Sequence, residues 1–390
     1  MTPKRFLTLL WIVVTVGLFT ACSDDDNSPD LPPSQVEKTL LVYMPWTASE
    51  STDPGSLYDF FLKNITDMEA GIVAQGGLGN TRLLLFVSRN AHDSHFIEVK
   101  YRQGKCYRDT IQQYSGNKYV SATGLAALLG KAKAVAPAAH YALLVGCHGS
   151  GWIPKDADNY FGTRAFGGNS PNYRMETSEL AEAIRLANMY MQYICFDDCY
   201  MAGIEVAYDL KDVTDHIIAS TSEIQNKGLP YRDIWKQLSA ASPNYAAIVA
   251  SFYKYYAQSY GTLSVINCQE VDATAALMSH INTLFTFNNA QLPLLQKLDG
   301  MGQTIFFDFG SYGQYLCDDS EYGTLLREQL TKLVPYHTHT PSIFTDLWRV
   351  NGGFSTIPVN TFSGITISDP TTNTYLINRK YLTAWWKATH

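Results

Sequence analysis

Apolar positions along the chain fall into short unbroken runs separated by stretches with helical spacing. Residues 39–44, 81–87, 141–147, 191–196 and 216–220 are apolar nearly throughout, which fits strands buried on both faces. Between them, Leu57, Phe60, Phe61, Ile65 and Met68 recur at helical spacing over residues 57–72. Residues 122–135 are rich in Ala and Leu and stop before Pro137, and residues 177–188 carry an apolar face of Leu180, Ile184 and Leu186 with Ser178 as a candidate cap. Residues 201–210 read as a further helix. Residues 95–113 alternate around turn residues near Gly104, the pattern of a hairpin. Strand–helix–strand units of this kind predict an α/β fold, a mainly parallel sheet with helices on both faces. In such a sheet a site lies beyond the carboxyl ends of the strands.

After Tyr245 the pattern changes. Residues 246–258 and 273–285 read as helices, 262–266 as a strand, and 362–370 as a strand closed by Pro370, with a packed aromatic stretch at 381–387. The expected organisation is a catalytic α/β domain over residues 37–241. A C-terminal α+β region over 242–390 is either a subdomain or an extension of the same fold.

The N-terminus reads as an address. Lys4 and Arg5 precede an apolar run from Phe6 to Phe19, and Thr20-Ala21-Cys22 closes it. The run is short for a membrane span and small residues stand where a signal peptidase cuts. Residues 1–21 are therefore expected to be a lipoprotein signal peptide, with Cys22 lipidated as the new N-terminus and a lipid anchor in the membrane. Ser23-Asp24-Asp25-Asp26-Asn27 and a proline-containing stretch then form a solvated tether over residues 22–36. The three acidic residues resemble the export tag of Bacteroidetes lipoproteins that reach the outer face of the outer membrane.

Composition adds limits. The chain is 46% hydrophobic and 17% charged, with a formal net charge of −7. Removing residues 1–21 takes away Lys4 and Arg5, which brings that charge to −9. A mildly acidic surface argues against nucleic acid as a partner. Beyond Cys22, Cys106, Cys147, Cys195, Cys199, Cys268 and Cys317 show no spacing of a disulfide framework and no paired Cys-x-x-Cys for zinc.

Two residues stand where the pattern puts a site. His148-Gly149 follows the third apolar run, and Asp197-Asp198-Cys199 follows the fourth. Neighbouring parallel strands lie about 4.8 Å apart, so an imidazole and a thiol beyond adjacent strand ends face one another. An imidazole there takes the thiol proton and frees a nucleophile. Gly149 lets the backbone approach a ligand closely. The N–H groups of Gly149 and Cys199 are candidate oxyanion donors, the latter expected near a helix N-terminus whose dipole lowers the thiol pKa. Cys147 is a competing nucleophile, ranked below Cys199 because it is expected at the last strand position, facing away from His148.

These residues also carry a resemblance. Leu143-Leu-Val-Gly-Cys-His-Gly-Ser-Gly-Trp152 with Phe196-Asp-Asp-Cys-Tyr-Met-Ala-Gly-Ile-Glu205 resembles the clostripain family of cysteine peptidases, in the clan of caspases, gingipains and legumains. Softer stretches agree: Ser222-Glu223, Gly228-Leu-Pro-Tyr231, Thr262-Leu-Ser-Val265, Gly364-Ile-Thr-Ile367 and Ala384-Trp385. The resemblance implies a caspase-like sheet and a cysteine endopeptidase acting on peptide or protein substrates, with His148 as base and Cys199 as nucleophile. It implies that Asp197 lines the primary specificity pocket and pairs with Arg or Lys. Asp198 replaces the family's Ala and is expected to raise the thiol pKa through a second negative charge. The alternative is a catalytically silent surface lipoprotein that binds peptides or a host protein through the same cleft; a component of a glycan system is a weaker third reading.

Other features follow. The resemblance implies a further expectation: some family members mature by internal cleavage in the loop after the His-Gly strand, and residues 150–172 fit such a loop, with Lys155 and Arg164 as basic residues. No cofactor is required by the sequence, although family members respond to calcium and Asp156, Asp158 and Asn159 could supply oxygens. His337-Thr-His339 reads as a surface loop rather than a metal site, and residues 253–260 as an aromatic helix core. Asn64-Ile-Thr66 matches a glycosylation acceptor.

Overall fold

The computed structural model describes residues 36–50, 56–156, 166–318, 320–350 and 353–390, all within one compact unit spanning Leu31–His390. The expected signal peptide, Cys22 and nearly all of the expected tether lie outside the described residues. No helix among those residues is long and apolar enough to cross a membrane.

In chain order the strands are β1 (Lys38–Met44), β2 (Thr81–Asn90), β3 (Asp93–Arg102), β4 (Lys105–Tyr114), β5 (His140–Val145), β6 (Phe166–Gly167), β7 (Arg174–Met175) and β8 (Met191–Phe196). They continue as β9 (His216–Ala219), β10 (Thr262–Asn267), β11 (Phe307–Asp308), β12 (Tyr336–His339), β13 (Ser342–Val350), β14 (Gly353–Pro358) and β15 (Thr366–Ile367). Nine of them form one sheet in the order β12-β10-β9-β8-β5-β1-β2-β3-β4. From β9 through β8, β5 and β1 to β2 every pairing is parallel. The hairpin β3–β4 and the strands β10 and β12 add antiparallel edges on the two sides.

Side chains on successive strand positions enter two different cores, as the period of two requires. Leu41, Tyr43, Leu84, Phe86, Leu143 and Val145 face one apolar cluster. Leu40, Val42, Leu83, Leu85, Ala142 and Leu144 face the other. The first core is covered by α2 (Ala122–Val135) and α3 (Thr177–Leu186). The second is covered by α1 (Tyr58–Ala74), with the later helices Tyr231–Ser239 and Tyr245–Tyr256. Continuous apolar runs, rather than alternating ones, are thus what two-sided burial demands. The fold is α/β with a mainly parallel central sheet and helices on both faces.

Several expectations shift. Helix α3 is capped by a reciprocal pair, Glu176 with Glu179, and not by Ser178, which falls inside it. Helix α4 (Ile204–Leu210) begins three residues later than the pattern indicates. The reason is that Ala202 N–H donates to Ser220 O and Ala202 O accepts from Thr366 N–H, so the backbone is extended there. The C-terminal strand at 362–370 shrinks to the two residues of β15. His337 and His339 are not in a loop: they lie on the edge strand β12, where both rings pack on Phe362. In the aromatic stretch, Phe252 and Tyr256 stack in the core while Tyr253 is exposed.

Candidate active site

The carboxyl ends of β5 and β8 are neighbours in the sheet, and the chain leaves both toward one cavity of about 930 Å³. His148, Asp197, Asp198, Cys199, Glu223 and Gly228 are among its lining residues. His148 and Cys199, some 50 residues apart in the chain, are thereby brought together, each half-buried. His148 is held by its backbone: its N–H donates to Gly167 O (3.2 Å) and its C=O accepts from Gly167 N–H (2.9 Å). The small hairpin β6–β7 supplies that partner.

Gly149 explains how closely the two segments meet. A Cβ added there would overlap the Cys199 carbonyl oxygen and lie 2.9 Å from the Cys199 nitrogen. Neither the Gly149 nor the Cys199 N–H donates a hydrogen bond to another group among the described residues. Both are therefore open donors beside the thiol, as an oxyanion site requires.

Cys199 does not sit at a helix N-terminus. It occupies a turn, and α4 starts only at Ile204. The next residue, Tyr200, is held at φ 62°, a conformation that costs a bulky residue energy and that surrounding contacts must impose. Tyr200 N–H donates to Ser222 O (3.1 Å), its ring stacks on Phe306, and its hydroxyl donates to Glu223 Oε1 (2.8 Å). The Cys199 sulfur accepts from Ile224 N–H at 3.3 Å. Its thiol is pushed up, not down, first by burial and then by the Glu223 charge.

Asp198 acts on Cys199 in the expected direction, but behind burial and Glu223. Its carboxyl is 1% exposed and turned away: Oδ1 accepts from Cys147 N–H (2.6 Å) and Oδ2 from the Cys147 thiol (3.4 Å). Burial holds the Asp198 carboxyl well above the usual carboxylate range. Cys147 lies two residues past the end of β5, not at its last position, and is 3% exposed. Its thiol is raised by burial and by Asp198.

Asp197 lies deeper. Its Oδ2 accepts from Tyr231 OH (2.7 Å), Leu229 N–H (3.3 Å) and Asn64 Nδ2 (3.4 Å). Its Oδ1 is buried and has no hydrogen-bond partner among the described residues. Burial pushes the carboxyl up to about 6, against the Tyr231 and Leu229 hydrogen bonds that favour its charged form. Gly228, at φ +65°, brings the backbone so close that a side chain there would strike this carboxylate. Asn64 had no sequence signal beyond its glycosylation-like triplet, because a helix on the far side of 130 residues brings it here. Tyr231 and Glu223 were visible only as parts of the softer family stretches.

Glu205 is buried 3%-exposed on α4 and its Oε1 accepts from Ser368 N–H (2.7 Å), so it anchors the C-terminal segment rather than facing the cavity. Of the candidate calcium oxygens, Asp156 is paired with Arg379 (2.9 Å), while Asp158 and Asn159 lie outside the described residues, as does Arg164. Lys155 is paired with Glu179. No group of three or more His, Cys, Asp or Glu side chains gathers as a metal site among the described residues. All six described cysteines are free thiols.

The sequence profile of the clostripain family matches residues 46–326. A secreted C11 cysteine protease from Bacteroides thetaiotaomicron, "iotapain", is similar at 36% identity and a TM-score of 0.83, over 92% of this chain and 100% of that one. An inactive zymogen C11 protease from Parabacteroides distasonis is similar at 25% identity and a TM-score of 0.77, over 92% and 100%. A clostripain from Bacteroides thetaiotaomicron, in complex with the peptide inhibitor BTN-VLTK-AOMK, is 42% identical with a TM-score of 0.55, over 58% of this chain and 99% of that one. No curated protein matches the chain. A caspase-like α/β sheet and these relatives define a cysteine-type peptidase. The chain belongs to the clostripain family.

Proposed function

We propose that the protein hydrolyses peptide bonds after Arg or Lys, with Cys199 as nucleophile and His148 as general base. The observation that carries this reading is the buried Asp197 carboxylate beside Cys199, whose Oδ1 lacks a partner among the described residues. A buried acceptor of this kind is completed by a cationic side chain and left unpaired by a neutral one, which makes discrimination large. The 42% identical relative was captured with an inhibitor whose peptide ends in lysine, which supports the same preference here.

His148 removes the Cys199 thiol proton, which burial and Glu223 make harder to lose. The thiolate adds to the scissile carbonyl, and the oxyanion faces the open N–H groups of Gly149 and Cys199. The imidazolium then protonates the leaving amine, and water hydrolyses the thioester with His148 again as base. Fluorogenic peptides ending in Arg or Lys test this. Hydrolysis is expected in wild type and abolished in Cys199→Ala, with a loss of roughly a hundred- to ten-thousand-fold in His148→Ala. Wild-type rates in both variants would overturn the dyad.

We also propose that the mature chain is an exported lipoprotein anchored through Cys22 in the outer membrane and displayed on the cell surface, on the strength of its signal, Cys22 and the acidic tag. Labelled palmitate should enter the membrane-bound protein and not Cys22→Ser. A Cys22→Ser chain that still incorporates lipid contradicts this.

A further inference from the structure

The nucleophile and the base are carried by separate segments that meet at the strand ends, and something must fix one relative to the other. Their backbones approach at Gly149 and Cys199 and again at Gly151 and Tyr200, and beyond those contacts the two segments share a further partner. A third segment lies across both. Trp152, four residues after His148, donates its indole N–H to Ser368 Oγ at 2.8 Å. Glu205, six residues after Cys199, accepts the Ser368 N–H on Oε1 at 2.7 Å. Two residues earlier, Thr366 N–H donates to Ala202 O at 2.9 Å, and Thr366 bridges Gly203 in parallel register. On its other side this short strand, β15, pairs with β11.

We propose that Ser368 is a positioning residue for peptide hydrolysis: it joins the segment following His148 to the segment following Cys199 and so sets the two reacting groups against each other. The inference rests on the His148–Cys199 reading given above. Ser368 is 1% exposed, Glu205 3% and Trp152 7%. Hydrogen bonds in such surroundings are costly to leave unmade, because no water replaces the missing partner. One serine uses its hydroxyl toward one catalytic segment and its backbone N–H toward the other. The Trp of the His-Gly-Ser-Gly-Trp run and the Glu six residues after the nucleophile thereby acquire one shared physical purpose. Neither faces the cavity, and both end on the same distant residue.

Ser368→Ala and Trp152→Phe delete the same hydrogen bond from opposite sides. Each is expected to lower kcat on a lysyl fluorogenic peptide roughly ten- to a hundred-fold, as small misplacements of reacting groups do. KM should stay within about two-fold, because the cavity that binds the side chain is untouched. The double variant should be no slower than the slower single one, and Ser368→Thr, which keeps the hydroxyl, should recover most of the rate. A purely structural role predicts instead a lowered melting temperature with kcat unchanged in the folded fraction. Wild-type kcat in both single variants, losses that multiply in the double variant, or no recovery in Ser368→Thr overturns the proposal. If Ser368→Ala does not fold, Trp152→Phe and Ser368→Thr still decide it. Cys199→Ala is run beside them. If it keeps hydrolysing, the dyad itself is wrong; if it is silent while Ser368→Ala and Trp152→Phe are fully active, only the positioning role falls.

Discussion

At the scale of the residue, the proposed preference for basic side chains rests on Asp197, a buried carboxylate. Burial favours its neutral form and raises it to about 6, so the folded chain holds that proton more tightly than an unfolded chain does. Stability therefore falls as pH climbs from about 4 to about 6 and levels off above, since only there is the unfolded state ionised while the folded state is not. Under the proposed pairing, substrate binding has the opposite slope, because a cationic side chain needs the ionised form. For lysyl peptides kcat/KM should rise through about pH 6. In Asp197→Asn that rise disappears and kcat/KM for lysyl peptides drops roughly a hundred-fold or more, while neutral peptides change little. The same variant should melt higher than wild type at pH 7.5 and level with it near pH 4. An unchanged pH profile in Asp197→Asn, measured with lysyl peptides, contradicts the pairing.

The placement of His148, Cys199 and Asp197 just beyond two neighbouring strand ends, lining one cavity, was legible in the sequence because strand ends mark the place and the motifs are local. Asn64, which donates to Asp197, was not, since its contact depends on helix α1 packing against the sheet. The state of the thiol was not legible either. A turn, burial and Glu223 govern it, and none of these has a signature within the Asp-Asp-Cys triplet.

At the scale of the element, apolar runs located the parallel strands well because two-sided burial leaves little room for polar residues. Their ends were less visible. Helix α4 starts late because Ala202 is bonded to Ser220, just past β9, and to Thr366 of β15, a tertiary demand that no local propensity reports. The hairpin β3–β4 was readable because Gln103 and Gly104 both take positive φ at its turn, where glycine is at home. The turn at Cys199 offers a sharp test. Gly149→Ala places a methyl group against the Cys199 backbone on both its carbonyl and its nitrogen, and neither can yield as a flexible side chain would. Overpacking of this kind costs about 1–3 kcal/mol. The variant should fold with a melting temperature lowered by several degrees and lose at least about a hundred-fold in kcat, since an oxyanion donor and the nucleophile both move. Thermal unfolding and single-substrate kinetics on one preparation check this; full activity would mean that the contact is slack.

At the scale of the whole molecule, residues beyond 242 contribute β10 and β12 to the sheet and β15 to the back of the catalytic segments. Leu263 and Val265 of β10 sit in the same core as the central strands. A chain ended at residue 241 loses that apolar cover and bares the edge of β9, an invitation to aggregate. It should be insoluble or unfolded when expressed alone, read by soluble yield and far-UV circular dichroism; a soluble, cooperative 37–241 fragment would contradict this dependence. The sequence pattern showed the elements of this region but not their destinations, because pairing partners lie tens of residues apart and β15 is only two residues long.

The central claim is that Cys199, read by a basic side chain next to it, is the reacting group. A lysyl acyloxymethyl ketone probe, applied to intact protein with and without calcium and followed by peptide mass mapping, tests it directly. One probe equivalent on Cys199, absent in Cys199→Ala and outcompeted by an arginyl peptide, is the predicted result. Labelling of Cys147 in its place, or no labelling of a folded wild-type protein under either condition, would contradict it.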